Sequence, residues 1–556
     1  MRQILLVTIP QRPETRQAEA LDHLFSGFND SNAPGMIVAV RSGPEFIYRR
    51  GFGLASVQHG LANTPQTRIR FASITKQFTC LALMLLAEES KVDIDAPVST
   101  YLPRFRGPAG EATLRQFMTH TSGLRCTLEL GSIANGYAPQ PRDWQEQAQS
   151  RQKGLQYDPG AEQLYCNGTF VAISDVIEKI SGETFPDFTR RRIFEPLAMF
   201  DTDIVENDHE MVPGLASAHV RNGERWERPP VDTEIRGDGG IVSTVDDMLR
   251  WLAHLRGTKN VGTDTTWEEL LAPATLASGF ETTYAMGIKP HSYRGVEVFQ
   301  HSGGLFGLNA QIISVPEHET DIVIAVNGAA ASATQLAFSA LDNCLSGKFS
   351  EAARRRARTA DFGYLPGHHF AHSSGVLLSF GDVNGLLGLS QMHMLPAPVL
   401  YEDEQSVFAL FEEIGFGPLV WLKSDLANFE NDPDAGLPVT IAGKKHQMNL
   451  LEKPARPCTA ILQAAAGAYF SEELDATVAI SASEDCQVAI QGDYSGVRRF
   501  SAFAISDRHL GLVSEDGAER YSMEIDVAAD GISWGLWIDT HRARRVRFDR
   551  RDGDRT

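Results

Sequence analysis

Ser73-Ile-Thr-Lys76-Gln-Phe-Thr-Cys80 runs without a break into Leu81-Ala-Leu-Met-Leu-Leu-Ala87. The second half is apolar almost all round, and a helix with no polar face belongs inside a domain. Helical positions three apart share a face. Ser73 and Lys76 therefore point the same way, and the buried run behind them takes the lysine out of water. Serine is a weak nucleophile until a neighbour takes its proton. A desolvated lysine holds its own proton less tightly, which suits it to that task. Ser-x-x-Lys is a known nucleophile arrangement, but two fixed positions are a weak signal. A second copy, Ser150-Arg-Gln-Lys153, sits in polar surroundings that lead into Gly154 and Pro159. It has no buried helix behind it and reads as a surface loop.

Two further motifs follow in order. Tyr165-Cys-Asn167 comes after the turn Asp158-Pro159-Gly160, at a loop-to-helix junction. A tyrosine there can pass a proton between Ser73 and a leaving group, provided a nearby cation lowers its pKa. Asn167 can hydrogen-bond a substrate amide or Lys76. In His301-Ser-Gly303-Gly304, the missing side chains let a strand's backbone approach a substrate closely. A strand N–H paired with that of Ser73 would make an oxyanion hole. His509-Leu-Gly511 lacks the second glycine and reads as surface. Nucleophile, proton-transfer group and oxyanion strand are the parts of covalent acyl transfer.

The chain has 556 residues, enough for roughly three or four domains. Apolar content of 42% and charged content of 22% are ordinary for a soluble globular protein. The net charge of −20, from 51 Lys+Arg against 71 Asp+Glu, repels phosphate backbones, so nucleic acid is not an expected partner. The six cysteines are scattered without a Cys-x-x-Cys pair, as buried reduced thiols in a reducing compartment would be. Ile4–Ile9 is too short for a signal segment or a membrane span. These features lead us to expect a soluble cytoplasmic protein with residues 1–16 as a loose tail.

The first ~345 residues mix helix and strand signals. Gly35–Val40 and Phe46–Arg49 read as a strand pair turning at Ser42-Gly43-Pro44, and Ile312–Ser314 and Asp321–Val326 as strands. Asp246-Asp247 open an amphipathic helix. Glu351-Ala-Ala-Arg-Arg-Arg-Ala-Arg358 breaks the composition and reads as a solvated helix or linker. Beyond it period-2 alternation takes over, as in Tyr521, Met523, Ile525 and Val527. That is all-β texture, long enough for two small barrels or sandwiches divided near Pro454–Pro457. Gly367-His-His-Phe-Ala-His372 looks like a metal cluster but lacks an acid partner and reads as surface. Acyl transfer requires no metal, and neither metal nor cofactor is expected.

With these residues assembled, residues 20–345 resemble the serine β-lactamase and penicillin-binding-protein superfamily. Phe117-Met-Thr-His-Thr-Ser-Gly-Leu124, Ile193-Phe-Glu-Pro-Leu-Ala-Met199 and Gly237-Asp-Gly-Gly-Ile-Val-Ser243 carry the resemblance beyond the three motifs. Penicillin-binding members usually place lysine where His301 stands. A neutral histidine there suits a substrate whose near end is an amine. Ser73–Cys80, Tyr165–Phe170 and Gly467–Ala476 resemble the D-stereospecific aminopeptidases.

That resemblance implies an α/β catalytic domain (1–348), an antiparallel sheet flanked by helices plus an all-helical subdomain. Two all-β antiparallel barrel domains follow (359–454 and 455–556). It implies release of a D-amino acid from a peptide, amide or ester through an acyl-enzyme on Ser73. Lys76, Tyr165, Asn167 and His301 are the other catalytic residues, and Gly303 and Gly304 form the oxyanion strand. It also implies a loop of the last barrel, here 492–499, reaching the active site. This chain departs from those relatives at Lys289 and Arg498, where they carry a small polar residue and an acid; Asp493 is a replacement for the acid. Two basic residues near the pocket point to an acidic substrate group. The expected partner is a small D-aminoacyl substrate, not nucleic acid or membrane, and a homodimer stays open. The alternatives are an esterase or amidase of the same fold, then a β-lactamase or a non-catalytic penicillin-binding sensor.

Overall fold

The computed structural model describes residues 16–551, apart from 137, 139, 140, 142, 153, 208, 230–234, 258, 329–330, 373, 392–395, 410–418, 442, 482–484, 493, 516, 518 and 528–532. The tail expected at 1–16 thus falls, up to residue 15, outside the described residues.

The elements that build the first part are α1 (Arg16–Phe25), β1 (Met36–Ser42), β2 (Glu45–Phe52), α2 (Thr75–Glu88), α3 (Thr127–Asn135), α4 (Asn167–Ser181), β3 (Ile241–Ser243), α5 (Val245–Arg256), β4 (Lys289–Tyr293), β5 (Val296–Leu305), β6 (Leu308–Val315), β7 (Thr320–Val326) and α6 (Ala333–Cys344). Six strands form one antiparallel sheet in the order β4-β5-β6-β7-β1-β2. The β1–β2 turn falls at Gly43, whose φ is +54°, where the Ser-Gly-Pro signal puts it.

Alternation along the central strands explains why both faces of the sheet are covered. Met36, Val38 and Val40 pack with Leu21 and Phe25 of α1 and Ala337 and Leu341 of α6. Ile37 and Ala39, one residue out of phase, join the larger core with Phe78, Ile173 and Trp251 from α2, α4 and α5. Successive strand side chains point to opposite faces, so a strand with helices on both sides must be apolar at every position. The helix read from Phe78–Ala87 is α2, buried from Thr75 to Leu86.

The rest of the chain is antiparallel β. Nine strands between Gly367 and Leu450 form a second sheet whose two end strands, Ala397–Pro398 and Leu400–Tyr401, flank the single residue Val399. The sheet therefore curls almost into a barrel, around Trp421, Phe380 and Leu378. Eight strands from Gly467–Ser471 to Val546–Arg550 form a closed barrel, the first pairing the last at Tyr469↔Arg550. Its core continues into Leu130, Ile133 and Ala134 of α3, so the barrel and the first part of the chain share apolar packing. Among the described residues, no helix is long and apolar enough to cross a membrane.

Three local expectations change. Residues 351–358 are not helical: Arg356 and Arg358 bridge to Leu400 and Leu386 of the second sheet, and the Arg355 guanidinium stacks on Tyr401. Ser150 lies on the helix Trp144–Arg151, where the polar composition hides a single buried edge, Trp144, Ala148 and Gln149; the side chain of Ser150 is exposed. His509 is buried, 3% exposed, because the neighbouring sheet packs Phe370 against its ring.

Candidate active site

Ser73 sits in the helical turn Ala72–Ile74 that leads into α2. The residue before it, Ala72, has φ +49°, a left-handed conformation that costs a non-glycine residue of order 1 kcal/mol or more. Neighbours hold it there. The Phe71 N–H donates to the Ile241 carbonyl at 3.0 Å. The Thr75 hydroxyl donates to the Ala72 carbonyl at 2.6 Å and accepts the Ile241 N–H at 2.9 Å. On the other side β5 crosses at Gly303, where a Cβ would lie 2.1 Å from the Phe71 carbonyl oxygen. Only glycine lets the strand come this close. A Cβ on Gly304 would meet nothing within 4 Å, so the next position opens onto free space.

Lys76, fully buried, has three neighbours at Nζ: Ser73 Oγ at 3.3 Å, Asn167 Oδ1 at 2.8 Å and the Asp238 carbonyl oxygen at 2.5 Å. The two carbonyls can only accept. They take two of the amine's hydrogens and leave the third position facing Ser73, filled by a hydrogen when the lysine is charged and by its lone pair when it is neutral. Burial pulls the Lys76 pKa down to about 7; Asp238 opposes the shift, and Arg542 adds to it.

The phenol of Tyr165 is buried, and its hydroxyl has no hydrogen-bond partner among the described residues. Burial pushes its pKa far up. Ser73 and Arg542 counter this in part, Ser73 lying close by without a formed hydrogen bond. The ring of His120 lies 4.1 Å from that of Tyr165 between centroids. His120 Nδ1 accepts the Cys166 N–H at 3.1 Å, and burial, reinforced by Lys76 and His301, holds the imidazole neutral.

His301 is buried in the same way. Its Nδ1 lies 2.6 Å from the Ser302 carbonyl and its Nε2 3.0 Å from the Tyr284 hydroxyl. A carbonyl only accepts, so the ring proton belongs on Nδ1 and Nε2 receives the tyrosine's. Burial first, then Lys289 and Lys76, lowers its pKa well below the usual histidine value. His301 thus brings no charge, but Lys289, at the start of β4 opposite Gln300, places one beside it.

The last barrel reaches these residues through the turn Thr540–Arg545 between its final two strands. The Arg542 carbonyl accepts the Cys126 N–H at 3.3 Å, and the Arg544 carbonyl accepts from Arg125 Nε at 2.8 Å. The Arg542 guanidinium lies 5.0 Å from the centre of the Tyr165 ring, which also has Lys76 Nζ at 4.7 Å. Nearby, Glu162 joins all three parts of the molecule: Oε1 meets Lys444 of the second sheet at 2.5 Å, and Oε2 meets Arg544 of the barrel at 3.0 Å.

The structure therefore gathers Ser73, Lys76, Tyr165, Asn167, His301, Gly303, Gly304 and Lys289. It does not gather Arg498, whose partners are the Ser132 and Ile133 carbonyls and Glu519. The tip of the 492–499 hairpin stands on the end of α3, with the Tyr494 N–H on Asn135; Asp493 lies outside the described residues. Sequence reasoning missed Arg542, Tyr284, His120 and the Asp238 carbonyl. His120 and Asp238 stood inside quoted stretches. The Thr-His-Thr centre of Phe117–Leu124, polar between apolar neighbours, was the one available signal.

A family model described as Beta-lactamase matches residues 21–343, and the chain belongs to that family. It is 28% identical over 361 residues to a D-aminopeptidase of Brucella canis, covering 63% of this chain and 66% of the relative, just under two thirds of that protein's length. A D-aminopeptidase of Cereibacter sphaeroides is 28% identical over 376 residues, 67% of this chain and 69% of that one. Among solved structures, the octameric penicillin-binding protein homologue from Pyrococcus abyssi superposes with a TM-score of 0.54 at 19% identity, over 78% of this chain and all of that one. This last likeness concerns the fold alone.

Proposed function

We propose that the protein is a serine hydrolase that releases an N-terminal D-amino acid from a peptide, amide or ester through an acyl-enzyme on Ser73. The observation that carries the proposal is Lys76: a buried amine 3.3 Å from Ser73 Oγ, with its other two positions on carbonyls and a pKa of about 7. Such a lysine is substantially neutral at physiological pH and can take the serine's proton as Oγ attacks. Tyr165, kept protonated by burial, then serves as the acid that gives a proton to the leaving amine. When water cleaves the acyl-enzyme, Tyr165 takes the water's proton and Lys76 returns the serine's proton to Oγ, which restores both groups. The N–H of Ser73, early in its helical turn and without a partner inside it, and the backbone N–H at Gly304 receive the oxyanion. Asn167 holds Lys76 in place. Neutral His301 adds no charge of its own against the substrate's ammonium.

The names of the Brucella and Cereibacter relatives supply the D-aminoacyl class. We further propose the division into a catalytic domain, 1–348, and barrels, 359–454 and 455–556. In this reading the Thr540–Arg545 turn limits substrate length. Cytoplasmic residence belongs to the same proposal, supported by six cysteines that form no disulfide.

A second feature of the substrate follows from Lys289 beside His301 and Arg542 over Tyr165: a carboxylate on the D-residue or on the leaving group. Initial rates on paired D- and L-aminoacyl p-nitroanilides of Ala, Ser, Asp and Glu, with Ser73→Ala as blank, test both statements. A strong D preference supports the peptidase reading. Turnover of short-chain esters alone would replace it with the esterase alternative. D-Asp or D-Glu derivatives turned over no faster than by Lys289→Ala or Arg542→Gln would end the acidic-substrate reading.

A further inference from the structure

The histidine run at 367–372 lacks an acid in sequence, but the fold supplies one. His372 stands in the turn after strand Gly367–Ala371 of the second sheet. His509 opens the barrel strand His509–Ser514, and Glu524 lies directly opposite it on Arg520–Val527. His372 Nδ1 and His509 Nε2 each lie 3.9 Å from Glu524 Oε1, and the three ligand atoms fall within 4.8 Å of one another. The other histidines of the run are turned elsewhere: His368 Nδ1 lies 2.7 Å from the Ser379 hydroxyl and His369 Nε2 3.0 Å from the Leu365 carbonyl.

His509 makes this more than a chance cluster. It is 3% exposed, and its Nε2 is buried with no hydrogen-bond partner among the described residues. The ring is aimed by its other nitrogen, since Nδ1 lies 2.8 Å from the Ser506 hydroxyl. The Ser506 hydroxyl already accepts the Arg508 and His509 N–H groups at 3.2 and 3.1 Å, so it donates to Nδ1 and the ring proton of the metal-free protein sits on Nε2, where a bound ion would displace it. Glu524 is anchored too: Arg545 bonds its second oxygen, leaving Oε1 toward the histidines.

We propose that His372, His509 and Glu524 form a binding site for a transition-metal dication of the Zn2+ class that fastens the second sheet to the last barrel. Two imidazoles and one carboxylate suit zinc, which takes three protein ligands with a solvent-filled fourth position. Zinc–ligand bonds of ~2.0–2.1 Å set neighbouring ligand atoms about 3.3 Å apart. The two histidine–glutamate separations must then close by about half an ångström from 3.9 Å, and the histidine–histidine separation, up to 4.8 Å, by as much as about 1.5 Å. His372, 58% exposed in its turn, is the ligand free to move. Arg545 stands three residues from Arg542, so the site also braces the turn that covers Tyr165.

The test uses the full chain stripped with chelator, titrated with ZnCl2 by calorimetry and followed by thermal unfolding. One ion per chain is expected, with a Tm that rises with zinc concentration as mass action requires. His372→Ala removes an exposed side chain and leaves folding intact; it must lose both the binding and the Tm shift, while Glu524→Gln weakens them. Absence of stoichiometric binding in the wild type overturns the proposal. So does binding that survives unchanged in His372→Ala, which would assign the zinc to thiols or other surface groups.

Discussion

Replacing Arg542 by glutamine keeps most of the packing against Tyr165 and removes one charge. Lys76 Nζ and the Arg542 guanidinium lie 4.7 and 5.0 Å from the centre of the same ring, so the two charges are no more than about 10 Å apart. At an effective dielectric of ~20 their repulsion is at least about 1.7 kcal/mol, a little over one pKa unit. The repulsion disfavours charged Lys76, so losing it raises the lysine's pKa from about 7 toward about 8. Neutral Lys76 is the active form in the proposed mechanism. The rising limb of kcat/KM on a D-aminoacyl p-nitroanilide with an uncharged side chain therefore moves up by about one unit in Arg542→Gln relative to wild type on the same substrate. Activity at pH 7 falls about fivefold and recovers by pH 9. A limb that stays in place would refute the electrostatic argument. A loss of equal size at every pH would show that Arg542 acts only on the substrate.

Ser73→Ala should abolish turnover while leaving the circular dichroism unchanged; residual activity above a few per cent would move the nucleophile elsewhere. Tyr165→Phe should cost ~10²–10⁴-fold in kcat, the usual size of general acid–base catalysis, without loss of stability in thermal unfolding, because the hydroxyl it removes has no partner. Burial pushes the Glu162 pKa up, but Arg544 and Lys444 outweigh it and hold the carboxyl below its ordinary range. Its contribution is therefore fully present above the unfolded value of ~4.3 and is lost as pH falls through the lower folded value. Glu162→Gln should lower stability to urea at pH 7 by about 3 kcal/mol, with the gap to wild type narrowing in acid; a constant gap would refute the ion-pair account.

Legibility in the sequence followed the range of the physics. Ser73 with Lys76 and Tyr165 with Asn167 are short-range pairs whose geometry follows from one helix turn or one helix start, and His301-Ser-Gly-Gly carries its meaning in the missing side chains. The all-β texture of the second half was equally local. Arg542 was invisible because nothing within its own strand pair marks it; it matters through a ring that lies far away in the chain. Arg498 misled for the converse reason: alignment with the relatives' acid put it near the pocket, yet in its strand the carbonyls at the end of α3 and Glu519 claim it. His509 was misread because period-2 alternation gives the face of a strand but not which second sheet will cover it.

Chain order gives the Thr540–Arg545 turn a consequence during synthesis. Ser73, Lys76, Tyr165 and His301 leave the ribosome well before Arg542, and at ~5–20 residues per second the interval is on the order of ten seconds or more. Through that interval the nascent chain holds its serine and lysine but lacks the arginine over Tyr165 and the turn that bonds Cys126 and Arg125. The arginine over Tyr165, and with it part of the lowering of the Lys76 pKa, thus arrives only with the final hairpin, and a chain cut short before it would carry a more basic lysine.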